Sequence, residues 1–258
     1  MSITSILTAL LLGCSFVSRA KSFQPNARLP LSTSSHMTAA AAEIDHVQLF
    51  LHGIAAQKDV MIAQVAPAVR VSLGEEFGLE PGTAVTGKTV AALRELGFHY
   101  VFDVLAGADV TIVEEGTELF RRLRANLVDH VEGAAPLPMF TSCCPGWIEY
   151  VENQAPEMIP HVSTVKSPHM IEGALVKAFF STTLNRSSSE LEVVSVMPCV
   201  RKQGEADRMP FHTVSGAREV DHVINTRELA SMIKVKHNVR QCKRLHACSF
   251  IHEPYRNV

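Results

Sequence analysis

Residues 59–65 read DVMIAQV, a short and almost continuous apolar run of the kind that forms a buried strand. Ala66 and Pro67 interrupt it, and apolar positions at helical spacing follow over 68–77. A second helix is predicted over 89–96, a strand over 98–104, and an amphipathic helix over 108–127 whose period is broken once at Gly116. The pattern then recurs. Residues 137–141 read as a third strand running into Ser142-Cys143-Cys144-Pro145 and a helix over 146–153, with Pro145 where a first-turn proline is favoured. Residues 191–196 (LEVVSV) read as a fourth strand, followed by the turn Met197-Pro198-Cys199 and a polar stretch through Lys202 and Glu205. One more strand and helix are expected over 221–226 and 228–233.

Strands alternating with helices predict the fold class α/β: a parallel-sheet lobe with flanking helices. The chain has 258 residues, 47% apolar and 19% charged, which is enough to build a core. The formal net charge of -2 is too small for a nucleic-acid footprint, so nucleic acid is not expected as a partner. Three segments are distinguished: 1–42, then 43–233 with the α/β pattern, then 234–258. The last is a basic tail with Lys236, Arg240, Lys243, Arg244 and Arg256 against the single acid Glu253, and it has no clear apolar period. No acid precedes Glu43, while Arg19, Lys21 and Arg28 stand among many Ser, Thr and Ala, the composition of an organelle transit segment. The apolar run at 6–17, followed by Ser18-Arg19-Ala20, admits a secretory signal instead and is too short and interrupted to span a membrane.

The cysteines carry the candidate chemistry. Cys14, Cys143, Cys144, Cys199, Cys242 and Cys248 are too few and too irregularly placed for a disulfide scaffold, and a reduced, metal-competent compartment fits them better. In an open parallel sheet ligands gather outside the carboxyl ends of the strands. Ala66-Pro67, Cys143-Cys144 and Met197-Pro198-Cys199 all fall there. The helix after Pro145 would point its N–H groups at the cysteine pair and favour thiolate. Adjacent thiols diverge, so one can bind a metal while the other faces a neighbouring pocket. The plain alternative is that each cysteine is a small buried hydrophobe. On residue type alone Glu115 and Glu118 are a solvated helix face, Lys202 a surface lysine, Ser163 a loop residue and Met197 core. His161 and His169, like the other histidines, show no metal spacing and read as surface or packing residues.

Longer segments add to this reading. TSCCPGW at 141–147 and VMPCVRKQGE at 196–205 resemble the first two cluster motifs of the [FeFe]-hydrogenase, or iron hydrogenase, catalytic domain. The resemblance extends to QVAPAVRV (64–71), FDVLAGADVTIVEEGTEL (102–119), VSTVKSPHM (162–170) and EADR (205–208), and runs from about residue 59 to about residue 233. It is nearest to the green-algal type, since a transit-like leader and no cysteine-rich ferredoxin-like domain precedes it. The resemblance implies the N-terminal lobe of that catalytic domain and an H-cluster, a [4Fe–4S] cluster joined to a diiron subcluster. It also implies reversible reduction of protons to dihydrogen, with ferredoxin as electron donor and hydrogenase maturation proteins as partners. Localisation in the chloroplast follows, with mitochondrion or secretion as alternatives.

Residue by residue, the resemblance makes Cys144 and Cys199 two of the four thiolates of the [4Fe–4S] cluster. Cys143 becomes the proton-handling thiol beside the diiron site, fed by a relay of Glu115, Ser163, Glu118 and Arg122. Lys202 and the backbone of Ala66 and Pro67 would hold cyanide ligands, Met197 would pack beside the bridging carbonyl, and Ser167 and Pro168 would complete the pocket wall. His169 stands where the resemblance predicts glutamine after KSP. The family's third, glycine-rich cysteine motif is not found; Cys242 and Cys248, five residues apart and without glycine nearby, do not match it, and a chain truncated at its C-terminus is implied. Two other readings stay open: a non-catalytic iron–sulfur protein related to cluster-assembly factors, and an inactive truncated product. Those assembly relatives tend to lack the cysteine pair and the MPC-x-x-K surroundings, and Cys143, Met197 and Lys202 are all present.

The leader yields one expectation by itself. Mass spectrometry of the protein from its own cells should find a new N-terminus before Asp59, and recovery of intact Met1 would exclude processing.

Overall fold

A computed structural model of the chain describes residues 60–208, 211, 216 and 218–236. Four strands form one parallel sheet in the order β2-β1-β3-β4: β1 (Val60–Val65), β2 (Tyr100–Asp103), β3 (Leu191–Met197) and β4 (His222–Asn225). The helices are α1 (Pro67–Ser72), α2 (Thr86–Leu96), α3 (Leu105–Leu127), α4 (Pro145–Gln154), α5 (Pro168–Leu175), α6 (Arg201–Ala206) and α7 (Thr226–Lys236), joined by shorter helical turns. The α/β parallel-sheet lobe read from the sequence is the fold observed.

The central pair explains the apolar runs. β1 and β3 each have a neighbour on both sides and helices over them, so Ile62, Ala63, Val193, Val194 and Val196 are fully buried. In α2, buried Thr89, Ala92, Leu93 and Leu96 repeat at the three- and four-residue spacing of one helix face, which packs against α7. Gly97, at φ 111°, ends α2 in the left-handed conformation that glycine adopts without strain.

The chain leaves β1 to form β2 on one side, then returns through α3, α4 and α5 to lay β3 on the other. The order therefore reverses between β1 and β3, and a crevice opens beyond their carboxyl ends. Ala66 continues the pairing one step past the strands, its N–H donating to Val196 O at 3.0 Å.

Four expectations need correction. Residues 137–141 are not a strand of the sheet: Phe140 makes one isolated parallel bridge with Val162, through Phe140 N–H to His161 O at 2.8 Å and Ser163 N–H to Phe140 O at 2.7 Å. Pro136 and Pro138 lack the N–H groups a longer ladder needs. Gly116 does not break α3, which runs 23 residues unbroken, because one interior glycine costs a helix only about 1 kcal/mol. The single helix expected over 68–77 divides into α1 and a tighter turn, Leu73–Phe77. Finally, α7 continues past Ile233 to Lys236, into the segment expected as tail. Residues 1–42, Cys242 and Cys248 lie outside the described residues.

Helices α3 and α5 meet at Gly107, where an added Cβ would stand 2.2 Å from the carbonyl oxygen of Pro168. A Cβ on Gly116 would meet nothing within 4 Å. Gly107→Ala should therefore destabilise the protein by roughly 2–3 kcal/mol. Gly116→Ala should stabilise it by about 0.5–1 kcal/mol. Urea unfolding midpoints would show the opposite signs.

Candidate functional site

The cysteine pair sits at the start of α4. Cys144 is the residue before its first turn, in extended conformation, and Pro145 opens the helix; Ile148 N–H donates to Cys144 O at 3.1 Å. Cys199 lies in the turn from β3 into α6, its carbonyl accepting from Lys202 N–H at 3.2 Å. Cys143, Cys144 and Cys199 are all free thiols and all exposed. They are therefore not the small buried hydrophobes of the plain reading.

Ion pairs hold α4 against α6. Arg208 bonds both carboxylate oxygens of Glu152 at 2.8 Å, and Arg201 pairs with Glu149. Gly146 leaves the room: a Cβ there would lie 3.5 Å from Arg201 Cδ and 3.9 Å from Cys144 Sγ. Lys202 completes the link, its ammonium donating to Cys143 O at 2.8 Å and to Glu205 Oε2 at 2.6 Å. Cys144 and Cys199 thus open the two helices that these contacts bind together. Among the described residues, no three His, Cys, Asp or Glu side chains converge closely enough to hold a metal ion.

The predicted relay residues are brought together on α3 and the segment before α5. Glu118 Oε2 accepts from Ser163 Oγ at 2.8 Å and Thr164 N–H at 3.0 Å, while its Oε1 accepts from Arg122 Nε at 3.0 Å. Arg122 is buried and also donates to the carbonyls of Pro136, Pro160 and Val162 at 3.3, 3.0 and 2.8 Å. A cavity of about 530 Å³ borders Arg122, Ser163 and Thr164. Glu115 reaches the cysteine turn through Ser142 N–H at 3.5 Å. Burial raises the Glu115 carboxyl above its usual range; the Ser142 N–H opposes this and the charge of Glu118 adds to it. Glu115 and Glu118 are half-buried rather than a solvated face.

The pocket-wall residues gather at the crevice. Ala66 and Met197 are buried at the ends of β1 and β3, and Pro67 is exposed as the first residue of α1. Ser167 precedes α5 and Pro168 opens it. The hydroxyl of Ser167 is buried with no protein partner.

His169 corrects the sequence reading in part. It is fully buried, as a packing residue would be, but it is also a polar hub: Nδ1 lies 3.2 Å from Ser195 Oγ and Nε2 lies 3.1 Å from Glu205 Oε2. Gln64 joins the same group, donating to His169 O at 2.8 Å and to Ser195 Oγ. Thr164, Gln64, Ser195 and the role of Glu205 were missed. A signal existed for two of them, because Gln64 and Ser195 are polar residues inside otherwise apolar strands, and buried polar side chains need partners.

An open parallel α/β sheet with thiols, a lysine and an unpaired hydroxyl around its switch-point crevice defines a ligand- or cofactor-binding lobe. The chain belongs to the family described as iron only hydrogenase large subunit, C-terminal domain, whose model matches residues 59–255, a span that includes most of the basic tail. It is 46% identical over 197 residues to the NADP-reducing hydrogenase subunit HndD of Solidesulfovibrio fructosivorans, covering 76% of this chain and 33% of that protein. It is 34% identical over 180 residues to cytosolic iron-sulfur assembly component 3 of Bos taurus, covering 69% of this chain and 37% of that one. Among solved structures, HydA(deltaEFG), in which stepwise [FeFe]-hydrogenase H-cluster assembly was revealed, superposes with a TM-score of 0.69 at 46% identity, covering 74% of this chain and 47% of that chain. The chain spans about a third of the length of such curated relatives.

Glu172 of α5 offers a separate test of the buried electrostatics. It is buried, its Oε2 has no partner, and burial, reinforced by the charge of Asp103, pushes its carboxyl up to about 8. An unfolded glutamate titrates near 4.5. Below that value both states hold the proton. Between about 4.5 and about 8 the unfolded chain releases a proton that the folded one keeps, so stability falls as pH rises through this window. Above about 8 the loss is complete. Glu172→Gln has no proton to release and should abolish this contribution, at about 1.4 kcal/mol per pH unit. Urea midpoints of the two proteins should be similar at the acid end of the window and diverge in favour of glutamine toward its alkaline end.

Proposed function

We propose that the chain is the cysteine-bearing lobe of an [FeFe]-hydrogenase, acting in the reversible reduction of protons to dihydrogen. The observation that carries this reading is the bond from Lys202 to the Cys143 carbonyl, which with the ion pairs to α4 sets the turn bearing Cys143 and Cys144 beside the helix that follows Cys199. The donor set suits the H-cluster as far as the described residues go. Cys144 and Cys199 supply two of the thiolates for its [4Fe–4S] part, which takes four. The ammonium of Lys202 has three donors and uses two of them on protein oxygens, so one is left for the nitrogen of a cyanide. The Ser167 hydroxyl is likewise without a protein partner.

When bound, the cluster supplies the electrons and the site at which protons are reduced. The protein's part is to move protons and keep them from the wrong groups. Protons enter from the cavity beside Arg122 and Thr164 and are held at Glu118, which Ser163 hydrogen-bonds toward the interior. Glu115, whose raised carboxyl can hold a proton, is positioned beside the cysteine turn by the Ser142 N–H, and the Sγ of Cys143 is the last carrier. Arg122 holds the Glu118 carboxylate in place and is itself fixed by backbone carbonyls. Ala66, Pro67, Met197 and Pro168 shape the pocket and exclude water. A small ferredoxin is the electron donor, hydrogenase maturation proteins supply the diiron part, and the chloroplast is the compartment.

The cluster-assembly reading is less well supported. The identity to the bovine assembly component is 34%, against 46% to the hydrogenase subunit. Cys143 and Lys202, which proton delivery and cyanide binding require, also hydrogen-bond one another here through the Cys143 carbonyl.

The test uses the chain in a version restored to full length, so that all four cluster thiolates are present, produced with the maturation proteins and purified without oxygen. Cys143→Ser should keep the iron–sulfur absorbance of the parent and lose hydrogen evolution by at least tenfold, because a hydroxyl is too weak an acid for the relay. Cys144→Ala and Cys199→Ala should lose the absorbance itself. A parent that binds iron–sulfur and evolves no hydrogen with reduced ferredoxin would favour the assembly reading. Loss of the cluster in Cys143→Ser would reverse the roles of the two adjacent cysteines.

A further inference from the structure

The polar group under the crevice forms a directional chain. Glu205 is buried beneath Lys202 and His169; burial by itself would raise its carboxyl, but the hydrogen bonds from His169 and Lys202 and the charge of the Lys202 ammonium bring it well below the usual carboxylate range. It is therefore a carboxylate and can only accept. His169 Nε2 must then carry the proton that Glu205 Oε2 receives at 3.1 Å. Burial also lowers the imidazole pKa, so the ring is neutral and Nδ1 is an acceptor. Ser195 Oγ donates to Nδ1 at 3.2 Å and in turn accepts from the amide of Gln64, whose other recorded bond, to His169 O, measures 2.8 Å. Each donor in the series has one acceptor orientation that satisfies the next, from β1 through β3 and α5 to α6. The series ends on Lys202, whose ammonium bonds Glu205 Oε2 at 2.6 Å and Cys143 O at 2.8 Å.

We propose that His169 and Glu205 are positioning residues: the imidazole, whose Nε2 proton is directed by the acceptor-only carboxylate and whose Nδ1 meets Ser195, holds Glu205 where it parks the Lys202 ammonium against the cysteine turn. The function of that placement rests on the hydrogenase reading, in which Lys202 faces the diiron ligands. A glutamine, the residue the resemblance predicts at this position, carries an amide N–H that can donate to a carboxylate. Imidazole does the same with Nε2 while offering Nδ1 to Ser195, so the substitution keeps the donor that matters to Lys202.

The test reads Lys202 directly, before any iron is added. The full chain is treated with a limiting amine-acetylating reagent, and the labelling rate of Lys202 is measured by peptide mass spectrometry relative to exposed Lys236. A tethered ammonium reacts slowly because its nitrogen must first leave both partners. Glu205→Gln and His169→Leu should each speed Lys202 labelling about tenfold, as loss of one charge-assisted hydrogen bond would. His169→Gln should stay within about twofold of the parent, with Lys236 unchanged throughout, which separates local release from general loosening. If His169→Leu does not fold, the two amide variants decide the matter. An unchanged Lys202 rate in Glu205→Gln, or His169→Gln as labile as a broken tether, would overturn the proposal. A protected Lys202 in a protein that evolves no hydrogen even when restored to full length would count against the hydrogenase reading and leave the positioning role standing.

Discussion

The parallel pairing of β1 with β3 is the constraint on which the rest depends. Six consecutive residue pairs, from Val60 with Leu191 to Val65 with Val196, run in the same direction. Both strands therefore end at the same edge, and the segments that follow them, Ala66-Pro67 and Met197-Pro198-Cys199, are delivered side by side. The same register sets Gln64 opposite Ser195 on the face that α5 covers, which is why a polar side chain on one strand finds a partner 131 residues away. A one-residue slip of β3 would turn Ser195 to the other face, away from Gln64, and strip His169 of its Ser195 contact.

Onto this edge the remaining parts are fastened by polar contacts as well as by apolar packing such as Trp147 against Phe140 and buried Val151 and Met170. The cysteine turn is tied to α6 by Lys202, α4 is tied to α6 and the residues just after it by Arg201 and Arg208, and the segment before α5 is tied to α3 by Glu118 and Arg122. Such loops gain little from hydrophobic burial, since a functional turn must leave its thiols exposed. Two buried carboxylates show how much the local partners matter. Glu205, with an imidazole donor and an ammonium, stays ionised, while Glu172, with neither and with Asp103 nearby, holds its proton toward neutral pH. Burial acts in the same direction on both, and the difference lies in what faces each carboxyl.

Much of this was legible in the chain because it is local. The apolar runs of β1 and β3, the helical period of α2, the first-turn proline of α4 and the words around Cys143 and Cys199 are each set by a few consecutive residues. The same locality led to errors. Residues 137–141 have strand composition, yet they lack the N–H groups and the neighbouring sheet edge that would make them one. Gly116 is a helix breaker by type, and the flanking turns of α3 carry it through. His169 read as a packing residue, because nothing near it in sequence announces Ser195 or Glu205.

The α/β alternation follows from apolar runs and helical period alone, whereas Cys143, Cys144, Cys199, Lys202 and the carboxylates of α3 became candidates for one site only through the resemblance of contiguous segments to the hydrogenase domain. Only the tertiary structure decided the strand order, the tautomer of His169, the opposite protonation of Glu172 and Glu205, and the tether that holds Lys202 at the cysteine turn. The physical reason is range. Backbone propensity and hydrophobic period act over a few residues, whereas hydrogen-bond partners and local dielectric are fixed by groups that meet only after β1 and β3 have paired.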